Sequence, residues 1–484
     1  MNCVSRILPQ LRDRPGQLAL WTDRDGFLSF RNYGDLCARA QALAVVEGLQ
    51  PGDPVLLLAQ PGQLLYAAIS GFLALGIPVV FVEPWMPNSM IEHLVNVARP
   101  KAFVGSRIAQ AWGLSVAAIR KIPRWINIGK IKGQTKRDAF RVVPLHGSAP
   151  AIITFTSGTG GKPKGIVRTH QYMWDMHEIL SGNGTRDLFT GPDLCVFPNY
   201  ALFHIGTGRG AVLVPSNWRD HGAKVLAKIN QLPRAQQPET LTCGPAFLKQ
   251  LLTLPGFAGL KSVYVGGALT DRWIFESAFE RWAETSFTHV YGGTEVEPVA
   301  LSDARIAVKK SAEKGHFQAL FLGKAIPQLR TRFTPEGLWV SGPNVAAFYL
   351  GQAQSELDNL KLKRMDESGA LWHCMGDRVT PDENQDLWFG GRTAQAPADF
   401  ILEQKVYSFL ESSQCMIHRR AAGKGLDTGT GDVILCGQGL KHRSAAIRRE
   451  FPEISAVHEV KIYRDHRHRA RIDRGQTLSK GKLT

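Results

Sequence analysis

Short apolar bursts punctuate the first 300 residues, at 55–58, 79–82, 151–155, 194–197, 212–214, 260–265 and 287–291, and the stretches between them are long enough for crossover helices. A strand buried on both faces reads as a continuous apolar run, and parallel strands need helical connections, so this spacing points to an α/β fold built on parallel sheets. The first unit shows the pattern most plainly. Residues 33–48 carry Leu36, Ala40 and Leu43 at helical spacing and stop at Gly48 and Pro51. Then 55–58 reads as a buried strand, 62–75 as a helix and 79–82 as the next strand. Beyond about Leu338 the texture changes, because 339–351 and 370–391 alternate apolar with turn residues as short antiparallel strands do.

With 44% apolar and 21% charged residues in 484, the chain is an ordinary globular protein, which excludes wholesale disorder and fibrous repeats. Seven cysteines, odd in number and never spaced C-x-x-C, argue against a disulfide framework and a cysteine zinc site, and a reducing cytoplasmic setting is expected. The first residues lack the apolar core of a secretory signal. Residues 64–82 have the length of a membrane span, but Gly71, Gly76 and Pro78 cut them into a buried helix plus a strand, so no transmembrane segment is expected. A formal charge of +16 favours anionic partners, whether nucleotides, coenzymes, nucleic acid or lipid surfaces. Without aromatic interleaving or a nucleic-acid module, nucleic acid is not expected among them. The basic stretches at 120–141 and 441–482 read as solvated surface, with acidic partners or membrane headgroups as the alternative.

The most informative stretch is 153–167, where an apolar strand runs into hydroxyls, glycines and two lysines. Gly158, Gly160 and Gly161 let backbone N–H groups approach an anion, Thr156, Ser157 and Thr159 add hydroxyl donors, and Lys164 adds a point charge, a combination that suits phosphate. It is not a Walker loop, because Pro163 follows Gly161-Lys162 and Thr156 stands where the first glycine belongs. The letters of a dinucleotide fingerprint at 206–211 lack its strand-to-helix context.

The ten residues TSGTGGKPKG, 156–165, resemble the signature loop of the adenylate-forming superfamily, which includes acyl-CoA synthetases, luciferases and nonribosomal adenylation domains. Further motifs follow in the order that superfamily requires. Leu202-Phe-His-Ile-Gly resembles the segment that lines the acyl site, which would give His204 a substrate role; the other reading is a histidine satisfied within a core loop. Val265 with Gly266, Gly267 and Ala268 resembles the glycine turn that passes along nucleotide and acyl chain. Tyr291-Gly292-Gly-Thr294-Glu295 is similar to the Tyr-Gly-x-Thr-Glu motif, which implies that Tyr291 stacks on adenine, Thr294 contacts the α-phosphate and Glu295 holds Mg²⁺. Trp372-His-Cys-Met-Gly-Asp377 resembles the motif whose aspartate accepts the ribose hydroxyls, and Gly391-Arg392 the one whose arginine binds ribose at a hinge.

The resemblance runs from about Leu28 almost to the C-terminus. It implies a large N-terminal AMP-binding domain, residues 1–390, of parallel-sheet α/β layers plus a small distorted β-barrel-like region, and a small mobile α+β lid over 391–484. It also implies ATP and Mg²⁺ as cofactors and a carboxylic acid, fatty or β-hydroxy fatty, as the small-molecule partner. Residues 197–203, 291–300 and 467–474 look most like the olefin-pathway β-lactone synthetase branch, in which pathway enzymes or a second copy are expected partners. Two departures lie in the C-terminal part. Arg471 stands where that branch carries its catalytic lysine, leaving Arg471, Lys480 and Lys482 as candidate cations. TAQAPADF after Arg392 lacks the charged hinge residue and the glycine loop of coenzyme A ligases, which leaves the use of coenzyme A open.

Overall fold

The computed structural model describes residues 1–484 except 84–85, 135–138, 157–163, 183–190, 216–217, 255–258, 351–360, 420–432, 465–471 and 482–484. Two large sheets dominate the first 390 residues. In the seven-stranded sheet, five strands lie parallel in the spatial order Arg124–Asn127, Ala102–Gly105, Val55–Leu58, Val79–Phe81 and Pro150–Thr156. The chain then returns antiparallel along Lys164–Thr169, whose outer edge pairs with Tyr349–Leu350. The helix Gln63–Ala74 covers one face and is buried along most of its length, because it is itself overlaid by the helix Phe30–Val46. At their crossing a Cβ on Gly71 would lie 2.8 Å from the Ala40 Cβ and the Cys37 carbonyl, so only glycine allows this approach. The apolar stretch at 64–82 thus folds into the core as helix plus strand, and among the described residues no helix is long and apolar enough to cross a membrane.

The eleven-stranded sheet has six parallel strands at its heart, Leu18–Thr22, Ala211–Leu213, Asp193–Cys195, Thr240–Cys243, Ser262–Gly266 and Ser286–Gly293. Antiparallel strands extend it on both sides, so the parallel expectation holds for the centre of each sheet and for the Arg124–Asn127 edge, and not for the other edges. A four-stranded antiparallel sheet, ordered Arg330–Thr334, Gly337–Ser341, Leu371–Cys374 and Lys363–Met365, fills the region expected to be barrel-like. The carboxy-terminal part is α+β: the strands Cys415–Arg419, Val433–Gly437 and Ala456–Glu459 carry the helices Pro397–Leu410 and Ser444–Glu450 around a core of Val406, Leu435 and Ile447. It is seated on the rest through Ser413 Oγ, which donates to Asp271 (2.8 Å), and Gln404 Nε2, which donates to Gln318 (3.0 Å).

All seven cysteines are free and buried, in keeping with the absence of a disulfide pattern. The apolar run at 194–197 ends as a strand already at Cys195, because Pro198 opens the helix Pro198–Thr207. His204 therefore sits on a helix and not in a loop.

Candidate active site

Parallel strands deliver their carboxyl ends to one edge, and ligands in α/β proteins bind outside that edge. Here the ends of both large sheets open on one cleft of about 2940 Å³, lined among others by Leu58, Phe81, Phe197, Gly244, Gly267 and Tyr291, each at or just past the end of a strand. The carboxy-terminal part closes the opposite side with Ile417, Arg464 and Arg474. Apolar side chains among the walls of the cleft include Leu58, Phe81, Trp112, Ile152 and Met173.

The loop between Ser286–Gly293 and Val296–Asp303 brings Thr294 and Glu295 to the cleft. Arg168 ties this loop to the strand that follows the glycine-rich loop: one guanidinium nitrogen donates to the Thr294 carbonyl and the other to Thr154 Oγ1, both at 2.8 Å. Tyr349, on the strand beside Gly165 and Ile166, donates its hydroxyl to Glu295 Oε1 at 3.1 Å, and Lys164 Nζ lies 5.3 Å from the centre of the same ring. Behind them stands Lys363, 6% exposed, with Nζ donating to the Ala346 carbonyl and 5.2 Å from the centre of the Tyr349 ring. Burial pushes the Lys363 ammonium down to about 8, against the attraction of Glu295. Burial alone would raise the Glu295 carboxyl, but neighbouring His373, the Lys363 charge and the Tyr349 hydroxyl together outweigh it and hold Glu295 below its usual range. Burial and the Lys363 charge push buried His373 down to about 3, so it is neutral at pH 7.

A second constellation faces the same cleft. The hairpin Asp377–Pro381 and Leu387–Arg392 sets Asp377 and Arg392 directly opposite each other, with guanidinium and carboxylate 2.8 Å apart. The Tyr291 hydroxyl donates to the other oxygen of Asp377 at 2.7 Å. Three residues singled out separately in the sequence are thus one unit, joined by a hydrogen bond and an ion pair. Gly267 follows the strand Ser262–Gly266 at φ +83, a left-handed turn that lays its backbone along the cleft next to Ala268. A Cβ on Gly292 would meet the Val296 carbonyl at 2.9 Å, so glycine is needed where the Tyr291 loop folds back.

Lys164, Gly267, Ala268, Tyr291, Gly292, Thr294, Glu295, Asp377 and Arg392 all line the cleft. Gly266 sits one residue behind it, where a Cβ would meet the Val290 carbonyl at 2.9 Å. His204 stands apart. It is fully buried, with Nε2 3.3 Å from the equally buried Asp193, which accepts hydrogen bonds from Thr240 and Thr242. The histidine lies in the core beside that carboxylate, and Asn199 and Leu202 of its helix line the cleft. Ser157, Gly158, Thr159, Gly160, Gly161, Arg471 and Lys482 lie outside the described residues, as does the side chain of Thr156. Lys480 ends the helix Arg474–Lys480 exposed and away from the cleft lining, which instead receives Arg464 and Arg474. Sequence reasoning missed Arg168, Tyr349 and Lys363, since KLKRMD reads as solvated charge and only the tertiary fold buries Lys363.

The profile of the AMP-binding enzyme family matches residues 9–350. The chain is 22% identical over 441 residues to an olefin beta-lactone synthetase of Stenotrophomonas maltophilia (strain K279a), covering 81% of this chain and 79% of that protein. It is 24% identical over 442 residues to an olefin beta-lactone synthetase of Xanthomonas campestris pv. campestris, covering 80% and 78%. Among solved structures, the amide bond synthetase McbA from Marinactinospora thermotolerans superposes with a TM-score of 0.78 at 16% identity over 99% of this chain and 100% of that one. O-succinylbenzoate coenzyme A synthetase (MenE) from Bacillus subtilis, in complex with AMP, gives 0.77 at 15% identity over 97% of each. At these identities the structural likeness speaks to the fold alone.

Proposed function

The chain belongs to the AMP-binding enzyme family, and from that premise we propose that it activates a carboxylic acid with ATP, releasing pyrophosphate and forming an acyl-adenylate. A carboxylate oxygen attacks the α-phosphorus, the bond to the bridging oxygen breaks, and pyrophosphate leaves with the electron pair. The observation that carries this reading is the convergence on one cleft of the Tyr291–Asp377–Arg392 unit and the Lys164–Tyr349–Glu295 cluster. The first offers an aromatic face, a carboxylate and a guanidinium to a nucleoside; the second offers a cation and an ionised carboxylate to its phosphates.

Two anions must meet in this reaction. Lys164, the amides of the loop over 157–161 and a cation from the carboxy-terminal part offset their repulsion and stabilise charge on the departing pyrophosphate. Thr294 faces the α-phosphate. Among the described residues no group of three or more His, Cys, Asp or Glu side chains could cage a metal. A single carboxylate kept ionised by Lys363 and Tyr349 nevertheless suits Mg²⁺, which commonly binds through one or two carboxylates and substrate phosphates. Glu295 would hold the ion, and the ion would supply charge stabilisation to the phosphates. A division near residue 390, with 391–484 as a lid, belongs to the same proposal, as does a cytosolic setting, which the free buried cysteines support.

The finer reading is that a β-hydroxyl of the acid then attacks the adenylate carbonyl, closing a β-lactone as AMP departs with the bonding electrons and the hydroxyl proton passes to water. Support comes from the two relatives named for that product and from the sequence after Arg392, where coenzyme A ligases carry a glycine loop. The test is incubation with ATP, Mg²⁺ and β-hydroxy fatty acids, with and without coenzyme A, followed by mass spectrometry. AMP with a product lacking one water, indifferent to coenzyme A, is expected. A thioester formed only with coenzyme A would make the protein a ligase, and neither product with the nucleotide bound would make it a non-catalytic relative.

A further inference from the structure

From Leu94 to Gln134 the chain carries eight Lys or Arg and no Asp or Glu, and all eight cations are exposed. This stretch builds the outer edge of the seven-stranded sheet, with the strand Arg124–Asn127 outermost. Its helix Arg107–Gly113 presents an unusual outward face. Ala109 and Gly113 are buried, whereas Ile108 is 81% exposed, Ala111 is exposed and Leu114, just past the end, is 60% exposed. Residues three apart on a helix share a face, so the solvent side of this helix is an apolar stripe where a polar one is the rule. Cations flank it: Arg107 at its start, and Arg120, whose guanidinium donates to the Leu114 carbonyl at 2.8 Å, beside Lys121 at its end. The same helix also borders the cleft, whose lining includes Arg107, Ile108 and Trp112 together with Lys130 and Lys132.

We propose that this face docks on an anionic lipid surface, with the side of the cleft lined by Arg107, Ile108 and Trp112 turned toward the bilayer. An apolar stripe bordered by cations is what lies flat at a membrane interface, where apolar burial and attraction to anionic headgroups add. A second copy of the chain fits poorly, since this stretch has no acidic residue of its own to offer its copy, and the neighbouring Glu47 carboxylate is already taken by Lys130 at 2.8 Å. An acidic protein would satisfy the cations and leave Ile108 and Leu114 without a reason to be exposed. The docking stands apart from the acid-activating reading; only the entry of an acyl chain into the cleft from this side rests on it.

The test is co-sedimentation of the full chain, without ATP or acid, with phosphatidylcholine vesicles and with vesicles containing about 30% phosphatidylglycerol, at low and physiological salt. Binding to the anionic vesicles, weakened by salt, is expected. Replacing Arg120, Lys121 and Arg124 together by Gln should lower the partition coefficient about 100-fold, since each cation near the surface is worth about fivefold. Ile108→Ser with Leu114→Ser should weaken binding while leaving its salt dependence in place. Thermal melts of both variants should match the parent, as every replaced side chain is exposed. No binding of the parent to anionic vesicles overturns the proposal, and so does binding that either variant leaves unchanged. The first outcome leaves acid activation untouched, because no nucleotide chemistry enters the assay.

Discussion

Lys363 carries a measurable cost of burial. Its ammonium is held at about 8 where 10.5 is ordinary, and it is 6% exposed, so solvent screens little of the effect. At about 1.4 kcal/mol per tenfold change, keeping it charged in the folded state costs roughly 3 kcal/mol. Below about pH 8 the group is protonated in both states and the folded protein bears the whole cost. Between about 8 and 10.5 the folded state sheds the proton while the unfolded chain keeps it, so the cost is progressively relieved as pH rises. Lys363→Met removes the cost at all pH values and loses the hydrogen bond to the Ala346 carbonyl, worth about 1–2 kcal/mol. Urea unfolding of both proteins from pH 7 to 10 should therefore find the variant more stable by about 1–2 kcal/mol at pH 7, with the advantage gone by pH 10. Activity should move the other way. Without the Lys363 charge, Glu295 loses one of the groups that offset its burial, so its carboxyl titrates higher and the acid limb of pyrophosphate release shifts to higher pH. A stability difference independent of pH, or a variant several kcal/mol less stable at pH 7, would refute the reasoning.

Glu295→Gln keeps the shape of the side chain and should lower pyrophosphate release at least about 100-fold, with little change in melting temperature, measured by a coupled phosphate assay. Tyr291→Phe withdraws a donor from Asp377, which is 3% exposed; we expect a loss of about 1–2 kcal/mol by denaturant titration and a raised KM for ATP with kcat less affected. Gly267→Ala forces an L-residue to φ +83 and should cost about 1–2 kcal/mol, read in the same titration. Arg471→Ala, compared with Lys480→Ala in pyrophosphate release, should be the damaging one, because Lys480 lies exposed and off the cleft lining.

Strands buried on both faces were legible because burial leaves nothing to alternate: 55–58 reads as a strand and is one. Other strands were not, whether at an edge or buried. Arg124–Asn127 faces solvent along its outer edge and carries an arginine, and Leu18–Thr22 pairs with Ala211–Leu213 across nearly 200 residues, a partnership no local pattern announces. In the site, Tyr291, Glu295, Asp377 and Arg392 stood out through the motifs around them, and the hairpin register then explains why Asp377 and Arg392 meet. For His204 the sequence left an acyl-site and a core reading side by side, because a histidine amid apolar residues looks the same on a cleft wall and beside a buried aspartate, where the fold puts it. Lys363 gave no signal, since burial of a lysine is decided by what packs over it.

The most direct test of acid activation is to supply a β-hydroxy fatty acid labelled with heavy oxygen in its carboxyl group, together with ATP and Mg²⁺, and to weigh the nucleotide product. Attack of the carboxylate on the α-phosphorus predicts AMP carrying one labelled oxygen once the acyl group has left, with unlabelled pyrophosphate. Unlabelled AMP, or ADP with the label in inorganic phosphate, would contradict an acyl-adenylate.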